Sequence, residues 1–241
     1  MSRNTAKSGI RERARLPRYG GRMELTSESI RPGQPIDSVY ALGRPDTHSN
    51  ATFSDNVNPH LAWSHAPSGT KSFAVVVHDS DAPTVADDVN QPGRRVPHDL
   101  PRADFYHWVL VDLPATVTRI PSGAFSSGVS KGGKAGPEVA LKDDVASEFG
   151  RSELNLRHGL NSYTQWFASD PDMVGDYFGY DGPFPPWNDE RTHTYTFTVL
   201  ALDVERAPVE GSFDGPALLT ALEGHILDSA AFTATYRICA E

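Results

Sequence analysis

The sequence predicts an all-β, mainly β protein, and three observations carry that expectation. Glycine (20 residues) and proline (19) are frequent in a chain of 241, supplying the tight turns that short strands require. Short apolar runs recur between these turn signals, and one of them alternates with a period of two. Helix signals are few. The clearest is Gly215–Leu227, where Pro216 suits a first turn and Leu218, Leu219, Leu222 and Ile226 fall on roughly one face. A β chain of this length folds as one domain, and 38% hydrophobic with 22% charged residues suits a globular protein.

The elements follow in order. Arg22–Ser27 reads as a first edge strand, and Pro32-Gly33, Pro35 and Gly43-Arg44-Pro45 read as loops. Strands are expected at His60–Ser64, Ser72–His78, Phe105–Leu113, His193–Asp203 and Phe232–Ile238. In HTYTFTVLALD the odd positions His193, Tyr195, Phe197, Val199 and Ala201 form the apolar face, and Thr194, Thr196 and Thr198 the polar one. FYHWVLVDL is apolar on both parities, so that strand should be covered on both sides, with His107 sharing the parity of Phe105, Val109 and Val111. Trp108, of opposite parity, reads as core. Residues 84–104 and 125–192 are long Gly/Pro/Asp-rich connections whose aromatics, Tyr163 and Trp166 among them, imply packed loops.

Charge divides the chain. Residues 1–22 hold Arg3, Lys7, Arg11, Arg13, Arg15, Arg18 and Arg22 against Glu12 alone, so a net charge of −9 leaves a strongly acidic body. Such a body does not suit nucleic-acid binding. The basic segment 1–22 reads as a disordered tail preceding a domain at 23–241; it lacks the apolar stretch of a secretory signal. No apolar run is long enough to span a membrane. The lone Cys239 can form no internal disulfide, which fits a reducing compartment, and a cytoplasmic location is expected.

One stretch resists a purely structural account. FAVVVHDSDAPT, residues 73–84, starts as a buried strand and ends in His78, Asp79 and Asp81. A charged cluster there must face water, pair, or hold something. The histidines and aspartates show no local metal-ligand spacing, and Asp170–Asp181 lacks the calcium-loop residues at its fifth and twelfth positions, so no metal or other cofactor is expected. Asp170 and Asp172 read as capping a solvated loop. There is no GxSxG elbow, and Lys131-Gly132-Gly133-Lys134 lacks the phosphate-loop spacing and reads as a mobile loop.

DSDAP (79–83), HW (107–108), GYDGPFPPW (179–187) and HTY (193–195) occur in that order beside strand ends. With the flanking SDNVNPHLAWSHAPSGTKSFAVVVHDSDAPT and the closing EGHILDSAAFTATYRI, the chain resembles the phosphatidylethanolamine-binding protein family from about Leu25 to Ile238. The branch it is similar to is the bacterial and archaeal one, described as Raf kinase inhibitor-like. Its signatures are DPDAP, HW, GPCPP and HRY. Here Ser80 replaces proline, Phe184 cysteine and Thr194 arginine, and the bulkier Phe184 is expected to narrow or cover the pocket mouth.

The resemblance implies two antiparallel sheets in a Greek-key sandwich with few short helices. It also implies a small anion pocket at one end. Ligand-binding positions carried over are Asp79, His107, His193 and Tyr195, with Gly182, Pro185 and Pro186 on the rim. A carboxylate beside a histidine favours the imidazolium, so Asp79 is expected to orient and charge His107, with His193 a second donor and Ala82-Pro83 a cis turn. Taken alone, each histidine reads as a satisfied core residue and Asp81 as a backbone cap, while Tyr195 reads equally as core with a paired hydroxyl. The expected function is binding of a small phosphorylated or carboxylated anion, such as a phospholipid head group, with a regulatory role by analogy. The ligand is held without stable membrane insertion, and the branch points weakly to a homodimer. The alternatives are an enzyme using His107 and His193 with Asp79 for acid–base chemistry, and a protein-interaction module with a vestigial pocket.

Overall fold

The computed structural model describes residues 22–139 and 154–238. The basic segment, apart from Arg22, and Cys239 lie outside the described residues. The strands are β1 (Glu24–Thr26), β2 (Gly43–Asp46), β3 (Asn50–Phe53), β4 (Leu61–Ser64), β5 (Ser72–Pro83), β6 (Arg102–Pro114), β7 (Arg119–Ile120), β8 (Arg157–His158), β9 (His193–Leu202) and β10 (Ile226–Tyr236). Two short helices, α1 (Tyr163–Trp166) and α2 (Gly215–Ala221), and a 3-10 turn at Ser38–Tyr40 complete the list.

Five antiparallel strands form the main sheet in the order β10-β9-β5-β6-β8. A three-stranded sheet, β1-β4-β7, packs over one face. Between the two sheets lie Leu61, Trp63 and Ile120 from the small sheet and Phe73, Val75, Trp108, Phe197 and Val199 from the large one. The other face of the main sheet is covered by α2 and the chain before it, where Leu218, Leu222 and Phe213 meet Val76, Val109 and Leu200. Fully burying an aliphatic or aromatic side chain of this kind is worth roughly 1.5–3 kcal/mol, so these two layers carry most of the fold's stability.

Several boundaries differ from the sequence reading. Gly43-Arg44-Pro45 is not a loop: it forms β2, paired with β3 in a two-stranded ribbon where a proline is tolerated at an edge. Strand β5 runs on through Asp79 to Pro83, so the acidic cluster lies within the sheet. The Ala82–Pro83 bond is trans; the cis peptide among the described residues is Gly136–Pro137. Ala82 and Pro83 instead continue the ladder, opposite Ala103 and Arg102. Helix α2 stops at Ala221, and Gly224, at φ 84°, turns the chain into β10, which starts at Ile226.

The register of β5 against β6 slips where the pocket is built. Val77 faces Trp108 while the next residue, His78, faces Tyr106, so β6 holds one extra residue at His107. The bulge resets the alternation. After it, Trp108 and Leu110 join the layer between the sheets and Val109 and Val111 the helix-covered layer. His107 packs its ring against Phe105 and Tyr195, on the same side as Trp108, and does not share the face of Val109 and Val111 as parity alone predicts. A second slip, between Asp79 and Ala82, pushes Ser80 and Asp81 out of strict pairing.

Candidate functional site

The ends of β5, β6 and β9 converge on one cavity of about 460 Å³, its mouth included. Asp79 sits beside Tyr195 on one side and Phe105 on the other, because β5 is central and pairs with both neighbours. Walls come from Pro83, Phe105, Tyr163, Trp166, Phe184 and Pro185; Asp79, His107, His193, Tyr195 and Pro186 also line it. Six of the seven expected site residues are therefore gathered in one place. Gly182 lies behind them, where a β-carbon would come within 2.1 Å of the Tyr40 carbonyl oxygen. Phe184 is one of the lining residues, edge-on to the half-exposed Phe53 with ring centres 5.9 Å apart.

The two histidines have roles other than those expected. Asp79 pairs with His193, not His107: Nδ1 of His193 lies 2.6 Å from Asp79 Oδ2. Nε2 of His193 lies 3.0 Å from Asp189 Oδ2. Carboxylates only accept, so both ring nitrogens donate and the ring is an imidazolium. Burial opposes that charge, but the hydrogen bonds to Asp189 and Asp79 prevail and raise the His193 pKa to about 9. Asp189 in turn takes both arms of Arg102, at 2.5 and 2.9 Å. Burial pushes its carboxyl up, yet His193 and Arg102 hold it down at about 2. With both N–H groups spent on aspartates, His193 is not the second donor to a ligand.

His107 is held differently. Its Nδ1 lies 2.8 Å from the backbone carbonyl of Asp181, so that nitrogen donates. Burial lowers its affinity for a second proton, against the opposing pull of Asp79 and of Asp181. The ring is therefore neutral with a lone pair at Nε2, which is buried and has no hydrogen-bond partner. The Tyr195 hydroxyl is likewise buried and without a partner, and burial pushes its pKa well above the usual tyrosine value. Tyr195 therefore departs from the core reading in which its hydroxyl would be paired.

The support behind His107 was not visible in the sequence. The Asp181 carboxylate accepts from Asn56 at 2.7 Å, Asn161 at 2.8 Å and Lys134 at 2.8 Å. Lys134 thus anchors the glycine-rich run read as a mobile loop, and Gly133 is required there, since a β-carbon would meet the Asp176 backbone at 2.5 Å. Tyr163 donates its hydroxyl to the Gly182 carbonyl, fixing the aromatic wall beside His107. Asp81 accepts from the Thr194 amide at 2.9 Å and pairs with Arg191, and so acts as the backbone cap that was expected, with Thr194 contributing its amide and not its side chain. Asp170 accepts from the amides of Asp172 and Met173, as a loop cap does.

The chain is similar to known proteins over most of its length. A family model described as phosphatidylethanolamine-binding protein matches residues 26–237. The UPF0098 protein YbhB of Escherichia coli is 31% identical over 217 residues, covering 89% of this chain and 99% of that one. The crystal structure of Escherichia coli YbcL, described as a new member of the mammalian PEBP family, superposes with a TM-score of 0.59 at 26% identity, covering 90% of this chain and 98% of YbcL. The Chlamydia trachomatis chain CT736, described as a homolog of such proteins, superposes with a TM-score of 0.56 at 23% identity, covering 89% of this chain and 97% of its own; at that identity it speaks for the fold alone.

Proposed function

Since the chain belongs to the phosphatidylethanolamine-binding protein family, we propose that its cavity binds a small oxyanion, a phosphate or a phosphorylated head-group-like compound. One observation carries the reading. His107 Nε2 and the Tyr195 hydroxyl are buried, unpartnered polar atoms on two residues that line one cavity. Leaving such groups unsatisfied costs about 1–3 kcal/mol each, a cost that a ligand with matching polar atoms removes. The walls of the cavity are mostly aromatic and proline side chains, so the polar end of a small ligand fits at the base.

The arrangement favours binding over acid–base catalysis by the two histidines. His193 cannot exchange a proton with a substrate without giving up Asp79 or Asp189. Of the two histidines, that leaves His107 with a free ring nitrogen at the cavity.

The test is a titration of the full chain with inorganic phosphate and with O-phosphoethanolamine, following the His107 and Tyr195 ring signals by NMR. Saturable shifts at both residues, weakened about tenfold in Tyr195→Phe, are expected. Rings that stay unmoved while exposed His65 responds to pH would end the reading.

A further inference from the structure

The charged groups around the cavity close on one another. Asp79 and Asp189 are balanced by His193 and Arg102, Asp181 by Lys134, and Asp81 by Arg191. No cation among these described groups is left over to meet a ligand's charge. What its buried, unpartnered atoms offer instead is one donor, the Tyr195 hydroxyl, and one acceptor, Nε2 of His107. The acceptor is set by geometry: the Asp181 carbonyl cannot donate, so Nδ1 keeps the proton and Nε2 presents its lone pair.

We propose that the pocket selects ligands that bring their own acidic proton, a phosphate in its protonated form or another hydroxyl-bearing oxyacid, over oxyanions that carry none, such as sulfate. The selection rests on the anion-pocket reading above and deepens it. A protonated phosphate accepts from Tyr195 through one oxygen and donates its O–H to His107 through another. Sulfate faces the same lone pair with a lone pair of its own. It binds only if His107 takes up a proton from water.

The surroundings of His107 resist that uptake. Phe105 lies beside it on β6, Tyr163 faces it from α1 and Tyr195 from β9. Asp79 on β5 and Asp181 behind the ring are the nearby acids that favour a proton, and burial outweighs them. Both acids are already engaged, by His193 and by Lys134 with two amides. Phosphate avoids the difficulty because its own last proton titrates near neutral pH, at about 6 for a monoester. A site built around one buried hydrogen bond can reject an analogue lacking the matching hydrogen by large factors.

The experiment is calorimetric titration of the full chain at pH 7 with inorganic phosphate and with sulfate at matched ionic strength. Phosphate is expected to bind at least about tenfold more tightly, and sulfate to gain affinity as the pH falls. Nitrogen-detected NMR of the free protein should show His107 protonated at Nδ1 and bare at Nε2. In His107→Gln, whose amide can donate, the preference should shrink to within about threefold, with an unfolding curve confirming that the variant is folded. Equal or tighter sulfate binding, or a ring protonated at Nε2 at pH 7, overturns the selection and leaves the anion pocket standing. Failure of both anions to bind overturns the pocket reading and the selection with it.

Discussion

The ring of Phe184 rests directly on the backbone at Gly43: a β-carbon at that position would come within 2.3 Å of the ring. The contact involves the inner ring atoms, so the phenyl group cannot swing its far edge aside and must move as a whole. Gly43 is not at a positive φ, and close approach alone explains the glycine.

Gly43→Ala should therefore push Phe184 toward the cavity. The expected cost is about 1–3 kcal/mol in urea unfolding, with weaker phosphate binding in the same variant. Adding Phe184→Ala should return part of both losses. Additive effects of the two changes would mean that the ring and the glycine do not constrain each other.

Asp189→Asn should be among the most damaging conservative changes in the chain. It leaves Arg102 and His193 buried with a neutral amide between them, and breaking a buried pair in this way costs roughly 3–5 kcal/mol. The His193 pKa should fall from about 9 in the same variant, measured by NMR titration of its ring. A variant of wild-type stability would remove Asp189 from the account of the site.

Stability should peak near pH 6.5. The His193 pKa is raised to about 9, so its contribution is complete below 6.5 and is lost as the pH climbs through 9. That loss is worth roughly 3 kcal/mol. His158 runs the other way: burial depresses it to about 3, so it destabilises the fold as the pH drops below 6.5 and the unfolded chain takes up the proton. His107 and His78, both lowered by burial, act in the same direction as His158. Urea midpoints at half-unit intervals from pH 5 to 9.5 test this, and a flat alkaline limb would contradict the charged His193.

Lys134→Met should reach the pocket from outside it. Asp181 keeps two amide donors but loses its cation, a loss of roughly 3 kcal/mol for a buried carboxylate. Because the Asp181 carbonyl fixes the His107 proton, phosphate affinity should fall along with the unfolding midpoint. Unchanged affinity would separate the loop from the site.

Strand positions were legible because turn residues and alternation are local. The period of two in HTYTFTVLALD placed Tyr195 and Phe197 toward the core, and the structure buries both. The pairing of charges was not legible. Asp79 and His193 are 114 positions apart and Arg102 and Asp189 87, and neither Asp189 nor Asp181 stands in a periodic segment. Motif matching named six residues that line one cavity but assigned Asp79 to the wrong ring, since a motif records which residues occur and not which atoms meet. The slip at His107 was hidden for a different reason. FYHWVLVDL is apolar in both phases, so nothing in its pattern marks where the phase changes.

That one extra residue in β6 has a consequence for how such a protein can vary. Upstream of it the strand furnishes the wall of a cavity, and downstream it is the spine of a packed interior. Losing a single residue there would rotate everything on one side by half a turn, burying the ligand-facing ring or evicting the indole of Trp108. Substitution can retune this pocket one side chain at a time. A change of length at this point would exchange its two trades in a single step.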